Sequence, residues 1–421
     1  MAQAKPSKKT TAKAARPARK AAAKTPRRAP AGKAKPKAAR AATAGAPQVE
    51  AEVLVVGDHP SASLCALMLR EAKVEVALLD TGQTPNAERL VTINPKWFDL
   101  HKSLESLRPE LGLAPIGYAQ FLGPEGELAR SQARSARGKG SDALAYVASM
   151  REVRDAVRTL ATDAGVPILS GALDVEGVDE TGVSLSAAGR SMKPRVLAIG
   201  DPLPDETAAL LGAPRFPGRE ASMQATARLD GASVFGPAAD EQGIAVTLDL
   251  AGKLQWGWML RRGDEAELCV QCPVGCDRRK ALAEWLELLR RHEIIAGDVE
   301  LEAGSIQAFD LPLAGALVRD VVARRTLLMG PAGGFYSASG EDVYPGCWSA
   351  KFAADVAAKA VRAEHPQDAL GAYRGKWGST LGEYLRGPQQ NLRFLLPLVY
   401  KNPVMTDRLA SAIFLGESLV K

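Results

Sequence analysis

The apolar positions near residue 50 predict a strand, a helix and a second strand in close succession. Val53–Val56 is a short run of branched residues closed by Gly57, which is typical of a buried strand. From Pro60 the apolar residues recur at helical spacing, and a second buried run ends at Asp80. A strand, a tight turn, a helix, a strand and a closing carboxylate predict the βαβ unit that binds dinucleotides.

The turn between the first strand and the helix, residues 57–62, departs from the pattern G-x-G-x-x-G. In that pattern, glycines let the backbone approach a pyrophosphate that rests on the helix N-terminus. Gly57 is kept and Ala62 is a mild change, but the ring of His59 would lie where the pyrophosphate comes close. Asp58 would repel a diphosphate, whereas its carboxylate favours an empty helix N-terminus and is a candidate substitute for the phosphate.

The remaining apolar positions divide into helical and alternating stretches. Buried strands and one amphipathic helix are predicted over 143–204. Over 225–273 the polarity alternates between turns, and residues 255–271 predict a hairpin. Residues 280–291 have the apolar spacing of an amphipathic helix, and two or three further helices are predicted over 367–421.

A second glycine-dense turn follows a short strand predicted over 325–329. The turn is Gly330-Pro331-Ala332-Gly333-Gly334-Phe335, and an alanine-rich helix is expected from about residue 346 to residue 364. A glycine turn that leads into a helix start again suits a phosphate or a flat ring.

The first 48 residues differ from the rest in composition and charge. They hold 14 Lys and Arg, no acid and almost no large apolar residue, which leaves a body with 40 bases and 48 acids. Such a segment buries too little surface to order itself, so we expect residues 1–48 to be disordered. Because dense cations bind phosphate backbones without reading sequence, residues 5–40 are a candidate for non-specific nucleic-acid binding. A purely solubilising extension is the alternative.

Length and composition argue against several classes of protein. No apolar run reaches the ~20 residues that span a bilayer, and the N-terminus has no pattern of a secretory signal. Five scattered cysteines do not suit a disulfide framework and favour a reducing cytoplasm. Cys269, Cys272 and Cys276 lack a fourth ligand, so packing is favoured and no metal site is expected. The four histidines show no ligand or triad spacing, and we assign no catalytic residue.

Together these stretches resemble the FAD-dependent oxidoreductases of the geranylgeranyl reductase and flavin monooxygenase superfamily, thinly over about residues 52–400. The first turn corresponds to that family's V-V-G-x-G-P-A-G. Residues 257–264 are similar to the Gly-Trp-x-x-Pro-x-Gly-Asp hairpin of the geranylgeranyl reductase branch. The most specific match is 330–350, which parallels G-D-A-A-G-F…G-E-G-I-Y-x-A…S-G.

The departures from the family pattern lie at its cofactor contacts. Pro331 replaces the Asp that binds the ribityl hydroxyls, and proline offers neither that acceptor nor an N–H. Asp342 replaces a glycine near the position of the isoalloxazine ring, and Ala350 replaces another glycine. Together with His59, these changes affect both ends of the same ligand.

The resemblance implies an α/β fold: a Rossmann-like FAD/NAD(P)-binding domain, an inserted antiparallel-sheet substrate domain and a helical C-terminus. The cofactor domain would comprise 49–82, 143–204 and 316–366. The substrate domain would comprise 83–142 and 205–315. Residues 367–421 would form the helical C-terminal segment.

The resemblance also implies that FAD lies between the two glycine turns, with NAD(P)H as a further electron donor. The implied contacts are Gly57, His59, Ala62, Asp80, Arg151, Gly330, Ala332, Gly333, Gly334, Phe335, Gly340 and Glu341. The chain would then be a flavin-dependent oxidoreductase that reduces a double bond in a bulky apolar or aromatic substrate, or oxygenates it. The alternative is a catalytically inactive flavoprotein-fold binding module that its basic tail tethers to nucleic acid. A crevice filled by side chains would favour this alternative.

Overall fold

The computed structural model describes residues 50–82, 88–132, 143–214, 221–253, 255–273, 275–312, 320–337, 339–386, 392–417 and 419. The basic segment 1–48 and most of the basic loop at 132–141 lie outside the described residues. Residues 47–421 form one compact unit, to which all the described residues belong.

The described strands all lie before residue 329, and they range from two to ten residues in length. In order they are β1 Val53–Val56, β2 Val76–Asp80, β3 Leu90–Ile93, β4 Ala114–Ile116, β5 Tyr118–Leu122, β6 Leu128–Arg130, β7 Ala145–Ser149, β8 Ile168–Ser170, β9 Leu173–Val178, β10 Val183–Ala187, β11 Arg190–Met192, β12 Val196–Ile199, β13 Ala221–Asp230, β14 Gly243–Leu250, β15 Gln255–Arg262, β16 Glu265–Pro273, β17 Ile306–Pro312, β18 Val322–Ala323 and β19 Thr326–Leu328.

Six of the eleven described helices follow one another after residue 342, and the other five are spread along the chain before it. In order they are α1 Pro60–Glu71, α2 Lys102–Leu107, α3 Met150–Asp163, α4 Asp205–Leu211, α5 Arg278–Arg291, α6 Val343–Ala360, α7 Pro366–Leu370, α8 Ala372–Gly378, α9 Gly382–Arg386, α10 Leu392–Lys401 and α11 Pro403–Leu415. Short 3₁₀ turns cover Pro95–Leu100, Ala232–Val234, Ala303–Ser305 and Gly330–Gly333.

A six-stranded sheet in the order β18-β19-β12-β1-β2-β8 contains the predicted βαβ unit. β1 is parallel to β2 and β12, and β19 is parallel to β12. The central strands are buried along their whole length, which explains their continuous apolar runs. Because β1, β12 and β19 run in one direction, their carboxyl ends meet at one edge, where sheets of this class bind ligands.

A seven-stranded, mostly antiparallel sheet has the order β17-β13-β16-β15-β14-β5-β6. The predicted hairpin is confirmed as β15 and β16, with Arg262 paired to Glu265 beside the turn. Helix α5 packs on β16 and buries Leu282, Trp285 and Leu289, as its apolar spacing predicts. Two smaller sheets, β3-β7-β4 and β11-β10-β9, complete the described strands.

Two predictions about the helices were wrong in detail. Helix α6 begins at Val343 rather than near residue 346, because Pro345 is tolerated in a first turn, where its missing N–H has no partner to lose. The described part of 366–421 holds five helices instead of two or three. Gly371 separates α7 from α8, and Asn402-Pro403 separates α10 from α11, since these residues end or restart helices.

The expected α/β fold class is confirmed by the parallel sheet, the antiparallel sheet and the helical C-terminus. Helix α1 packs on α3 and α6 against the parallel sheet, and this layer forms the largest apolar core. Among the described helices, none is both long and apolar enough to cross a bilayer.

Candidate functional site

The two glycine turns singled out in the sequence meet at the carboxyl edge of the parallel sheet. Gly57 follows β1 with φ +133°, and Gly330 follows β19 with φ +52°. A Cβ on Gly330 would overlap the hydroxyl of Ser61 and lie 3.2 Å from the carbonyl oxygen of Gly200. The backbone therefore reaches the close approach that a dinucleotide site of this class requires.

The amide groups at the start of α1 bind side chains of the chain itself. The N–H of Asp58 donates to Oδ2 of Asp201 over 2.6 Å. His59 is the N-cap of α1, and its Nδ1 accepts from the N–H of Ser61 over 3.1 Å. In dinucleotide-binding folds, amides at this helix start receive the pyrophosphate. Here the carboxylate of Asp201 and the imidazole of His59 already accept hydrogen bonds from two of these amides.

The carboxylate of Asp58 is held by two arginines of α3. Oδ2 of Asp58 lies 3.1 Å from Nη1 of Arg154, and Oδ1 accepts from Arg158. Arg158 also donates to Oδ2 of Asp80 over 2.7 Å. Burial raises the pKa of Asp58, and the positive charge of Arg158 opposes that rise. Two carboxylates and two guanidinium groups form this four-residue network, which we call the turn network.

The turn network occupies the side of the site where the family pattern places the ribose. Asp80 was predicted to accept hydrogen bonds from ribose hydroxyls, and here it accepts from Arg158 and from the N–H of Gly82. Arg151, the arginine predicted to contact FAD, lies elsewhere. Its side chain is exposed and pairs with Glu88. Arg154 and Arg158 lie one and two turns further along the same face of α3, and these two, rather than Arg151, reach the carboxylate of Asp58.

A second charged cluster lies between the two glycine turns. Arg89 donates to Oδ2 of Asp342, and Nε2 of His59 lies 3.6 Å from the same oxygen. We call these three residues the crevice triad. Arg89 is 6% exposed, Asp342 is 2% exposed and His59 is fully buried. Burial alone would raise the pKa of Asp342, but Arg89 and His59 overcome this effect and hold it at about 2.

The crevice triad fills the space between the turns. A Cβ on Gly346, in the first turn of α6, would lie 2.9 Å from Cε1 of His59 and 3.4 Å from Cα of Gly330. The imidazole therefore contacts α6 and lies beside the second glycine turn. A side chain beside a water-filled cleft would retain accessible surface, yet His59 has none and Pro331 is also buried.

The residues in this arrangement do not fit FAD. A pyrophosphate at the first turn would lie against the Asp58 carboxylate and compete with Asp201 for the amide of residue 58. A flavin at the second turn would need the volume that His59 and Asp342 fill. Pro331 supplies neither the acceptor nor the N–H of the aspartate that it replaces.

The other predicted contacts of the second turn face protein. Ala332, Gly333 and Gly334 lie in the turn, where Gly334 closes it with φ +72°. The ring of Phe335 packs edge-on against Trp377, with centroids 5.5 Å apart. A Cβ on Gly340 would lie 2.5 Å from the ring of Trp258, which fills the space beside it. Ala62, in the first turn of α1, is fully buried beside Gly200.

Glu341 connects the second turn to the C-terminal helices. Its Oε1 accepts from the N–H of Asn94 over 2.7 Å, and its Oε2 accepts from the hydroxyl of Tyr384 over 2.5 Å. The side-chain amide of Asn94 in turn donates to the carbonyl of Phe414 in α11. Burial raises the pKa of Glu341 to about 8, although both donors oppose the rise. Its contacts indicate a structural connection rather than a ligand contact.

Sequence reasoning did not assign four residues of this site. Asp201 follows β12 in the dipeptide Gly200-Asp201, and its place at a strand end was the one available signal. Arg154 and Arg158 share a helix face with i, i+4 spacing, but that pattern is typical of any solvated helix. No local pattern pointed to Arg89.

Cys269 lies in the middle of β16, Cys272 lies near its end, and Cys276 follows the strand. Cys269 and Cys272 are buried in β16, and burial raises the pKa of Cys272 to about 12. Within the described residues, no three His, Cys, Asp or Glu side chains are grouped to hold a metal ion.

We expect the buried pair of Arg89 and Asp342 to stabilise the fold only as a pair. Arg89→Met or Asp342→Ala should each lower the free energy of unfolding by about 3–5 kcal/mol, because either leaves a buried charge without its partner. The double variant should lose clearly less than the sum, as measured by urea unfolding in a double-mutant cycle.

The exposed pair of Arg374 and Asp320 provides a matched control, since both side chains are about half exposed. Arg374→Ala should cost no more than about 1 kcal/mol. Additive losses for Arg89 and Asp342 would contradict a coupled buried pair.

Glu341 should make the stability of the fold depend on pH. Its pKa in the folded protein lies above the unfolded value, so its stabilising contribution is complete below about pH 4. That contribution is lost as the pH rises through about 8. Relative to Glu341→Gln, the wild-type free energy of unfolding should fall by about 1 kcal/mol per pH unit between these values. The control is Glu265→Gln, which removes a partly exposed carboxylate and should keep the wild-type dependence of stability on pH. If Glu341→Gln showed the same pH dependence as the wild type, Glu341 would not be the group responsible.

Comparisons with known proteins concern the fold alone. No protein-family model and no curated protein matches the sequence. A geranylgeranyl bacteriochlorophyll reductase-like protein from Thermoplasma acidophilum matches with TM-score 0.65 at 13% identity, covering 86% of this chain and 88% of that chain. The flavin-dependent brominase Bmp2 matches with TM-score 0.63 at 16% identity, covering 87% and 94%.

A third solved structure, p-nitrophenol 4-monooxygenase PnpA from Pseudomonas putida, matches with TM-score 0.59 at 16% identity, covering 87% of this chain and 97% of that chain. The neighbours are thus flavin-dependent reductases, halogenases and monooxygenases. The predicted resemblance is confirmed at the level of the fold: the chain shares the fold of a geranylgeranyl bacteriochlorophyll reductase-like protein, a flavin-dependent brominase and a probable FAD-dependent monooxygenase.

Proposed function

We propose that this chain is a catalytically inactive, flavin-free relative of the FAD-dependent oxidoreductases that acts as a binding module. The observation that carries the proposal is the filled crevice: His59, Arg89 and Asp342 occupy the space between the two glycine turns. The fold is kept because its parallel sheet, glycine turns and helices pack into one apolar core. The cofactor space within it has become part of that core.

Electrostatics support this proposal. A phosphate charge about 4 Å from Asp58 would cost about 1 kcal/mol in water and several times more when partly desolvated. Opening the crevice would also separate Arg89 from Asp342, and a buried charge that loses its partner costs about 3–5 kcal/mol. FAD would have to offset both penalties before any contact stabilised it.

The binding partner in this proposal is a polyanion, with non-specific nucleic acid as the first candidate. The argument rests on sequence, because residues 1–48 lie outside the described chain. Their 14 Lys and Arg with no acid would displace counterions from a phosphate backbone, which gives affinity that falls steeply with salt. We also place the protein in the cytoplasm, since all five cysteines are free thiols.

The second candidate function is a flavin-dependent oxidoreductase. It would reduce a double bond in a bulky apolar or aromatic substrate, or oxygenate it, with NAD(P)H as the electron donor. One observation favours it: Gly57, Gly330, Gly334 and Gly340 all keep positive φ, as a backbone that approaches a ligand requires. This candidate needs the crevice triad to move aside when FAD binds.

The purified full chain should be colourless and should not bind added FAD. We expect no flavin absorption in its visible spectrum and no saturable quenching of FAD fluorescence during titration. The triple variant Asp58→Ala, His59→Gly, Pro331→Asp removes the carboxylate and the ring and restores the family's aspartate. It should bind FAD more tightly than wild type while keeping the wild-type circular dichroism. A yellow wild-type protein with stoichiometric FAD would replace our proposal with the second candidate.

The basic segment should account for nucleic-acid binding. At low salt the full chain should be retained on DNA, and retention should fall steeply as salt rises. A full-length variant with the 14 Lys and Arg of 1–48 changed to Gln should lose this retention, as should the truncation 49–421. Equal retention of all three proteins would refute the tether and leave the segment as a solubilising extension.

A further inference from the structure

Three of the four most exposed large apolar side chains among the described residues belong to the last two helices. Five large apolar side chains are exposed among the described residues, and three of them belong to α10 and α11. Phe394 is 79% exposed, Leu398 52% and Val404 58%. Such exposure has a cost in water, and a contiguous apolar patch of this kind marks an interaction surface.

Helix α10 is apolar on both of its sides. Leu392, Leu396 and Val399 are buried in the core that also contains strands of the antiparallel sheet. The outward side presents Phe394, Pro397, Leu398 and Lys401, which follow the spacing i, i+3, i+4, i+7 of one helix face. Because the inner side already anchors the helix, the outer apolar residues are not needed for the fold.

The outward face continues into the start of α11. Pro403 and Val404 are exposed in its first turn, where the side chain of Asn402 accepts from the N–H of Val404 over 3.0 Å. The hydroxyl of Thr406 donates to the carbonyl of Val399 over 2.7 Å and so joins the two helices. We call the exposed set Phe394, Pro397, Leu398, Pro403 and Val404 the apolar corner.

Basic residues flank the apolar corner. Lys401 and Arg408 are exposed on the same two helices. Asp407 is the one acid within α10 and α11, and its carboxylate accepts from the N–H of Gln132. An apolar ridge with cations at its side matches the interface of a membrane with anionic headgroups, where apolar side chains enter the acyl boundary and Lys or Arg remains among the headgroups.

We propose that the apolar corner inserts into the interface of an anionic lipid membrane and holds the protein on its surface. This inference goes beyond the proposed function and does not depend on whether the chain holds FAD. Weak apolar insertion needs a second attraction for stable attachment. The sequence of residues 1–48 offers this second attraction, because its 14 Lys and Arg form a polybasic segment that is drawn to anionic lipid.

The size of the corner favours lipid over a protein partner. A specific protein interface removes about 800 Å² of surface from each partner. Three partly exposed side chains offer roughly 300–400 Å² of apolar area, since a whole aromatic side chain has about 200 Å². An apolar patch of this size is small for a stable dimer, whereas membrane insertion requires no matching surface.

The test is co-sedimentation of the full chain with vesicles of phosphatidylcholine and phosphatidylserine. Salt of about 0.5 M screens the contribution of the basic segment, so that apolar insertion dominates the remaining binding. Under these conditions, the triple serine variant, Phe394→Ser with Leu398→Ser and Val404→Ser, should have a vesicle partition constant about tenfold or more below that of the wild type. The matched control is Leu210→Ser, a 48% exposed apolar residue on α4, which should bind as wild type does.

A second measurement places the corner in the bilayer. Phe394→Trp should fold as wild type, because the side chain is exposed. With zwitterionic and with anionic vesicles, we expect its emission to shift to the blue and to be quenched by brominated acyl chains, with the larger effect on anionic vesicles.

Two results would overturn the proposal. Wild-type vesicle binding in the triple serine variant would mean that the basic segment alone attaches the chain to lipid. Concentration-dependent dimerisation of the wild type in sedimentation equilibrium, abolished by the triple serine variant, would assign the corner to a second copy of this chain instead.

Discussion

The site depends on a carboxylate held between two guanidinium groups at the first glycine turn. Asp58 binds Arg154 and Arg158, and Arg158 extends to Asp80, so one network joins the turn, the end of β2 and helix α3. Each charge in this network has an opposite partner within the protein. Buried charges are stable only when they are paired in this way. The position of α3 relative to the parallel sheet therefore depends on Asp58, which lies in the turn that faces the pyrophosphate in dinucleotide-binding folds.

The crevice triad also pairs its buried charges. Arg89 and Asp342 neutralise each other, while His59 caps α1 and contacts the first turn of α6. The ends of β1 and β19, with the glycine turns that follow them, thus meet the starts of α1 and α6. Side chains of the protein itself, His59, Arg89 and Asp342, lie where they meet. The convergence is the one that the fold class requires for a dinucleotide. The fold has kept the geometry of a binding edge and changed what lies there.

Much of this arrangement follows from short-range patterns in the sequence. The βαβ unit from Val53 to Asp80 and the hairpin of β15 and β16 are encoded by local periodicity and turns. The misfits at His59 and Pro331 were visible because a motif fixes the spacing of its residues. Asp342 was visible as a misfit in the same way, but its pairing with Arg89 was not. Arg89 and Asp342 are 253 positions apart, and only the assembled fold brings them into contact.

The choice of Arg151 over its neighbours shows where such reasoning ends. Three residues on one helix carry the same charge and share one face at i, i+3, i+7 spacing, so their position along the helix axis decides which of them reach the first turn. Arg151 faces solvent and pairs with Glu88, whereas Arg154 and Arg158 face Asp58. The position of the helix along its axis is set by packing of α3 against α1, which no local pattern specifies.

The cap that His59 and Asp201 place on the start of α1 has a consequence for how the protein reaches its working form. A protein that binds a dissociable cofactor gains stability by mass action, so its abundance follows the supply of that cofactor. Here the groups that satisfy those amides are covalently part of the polypeptide, and their effective concentration is fixed by the fold. In the flavin-free module that we propose, the site is therefore complete once the chain has folded.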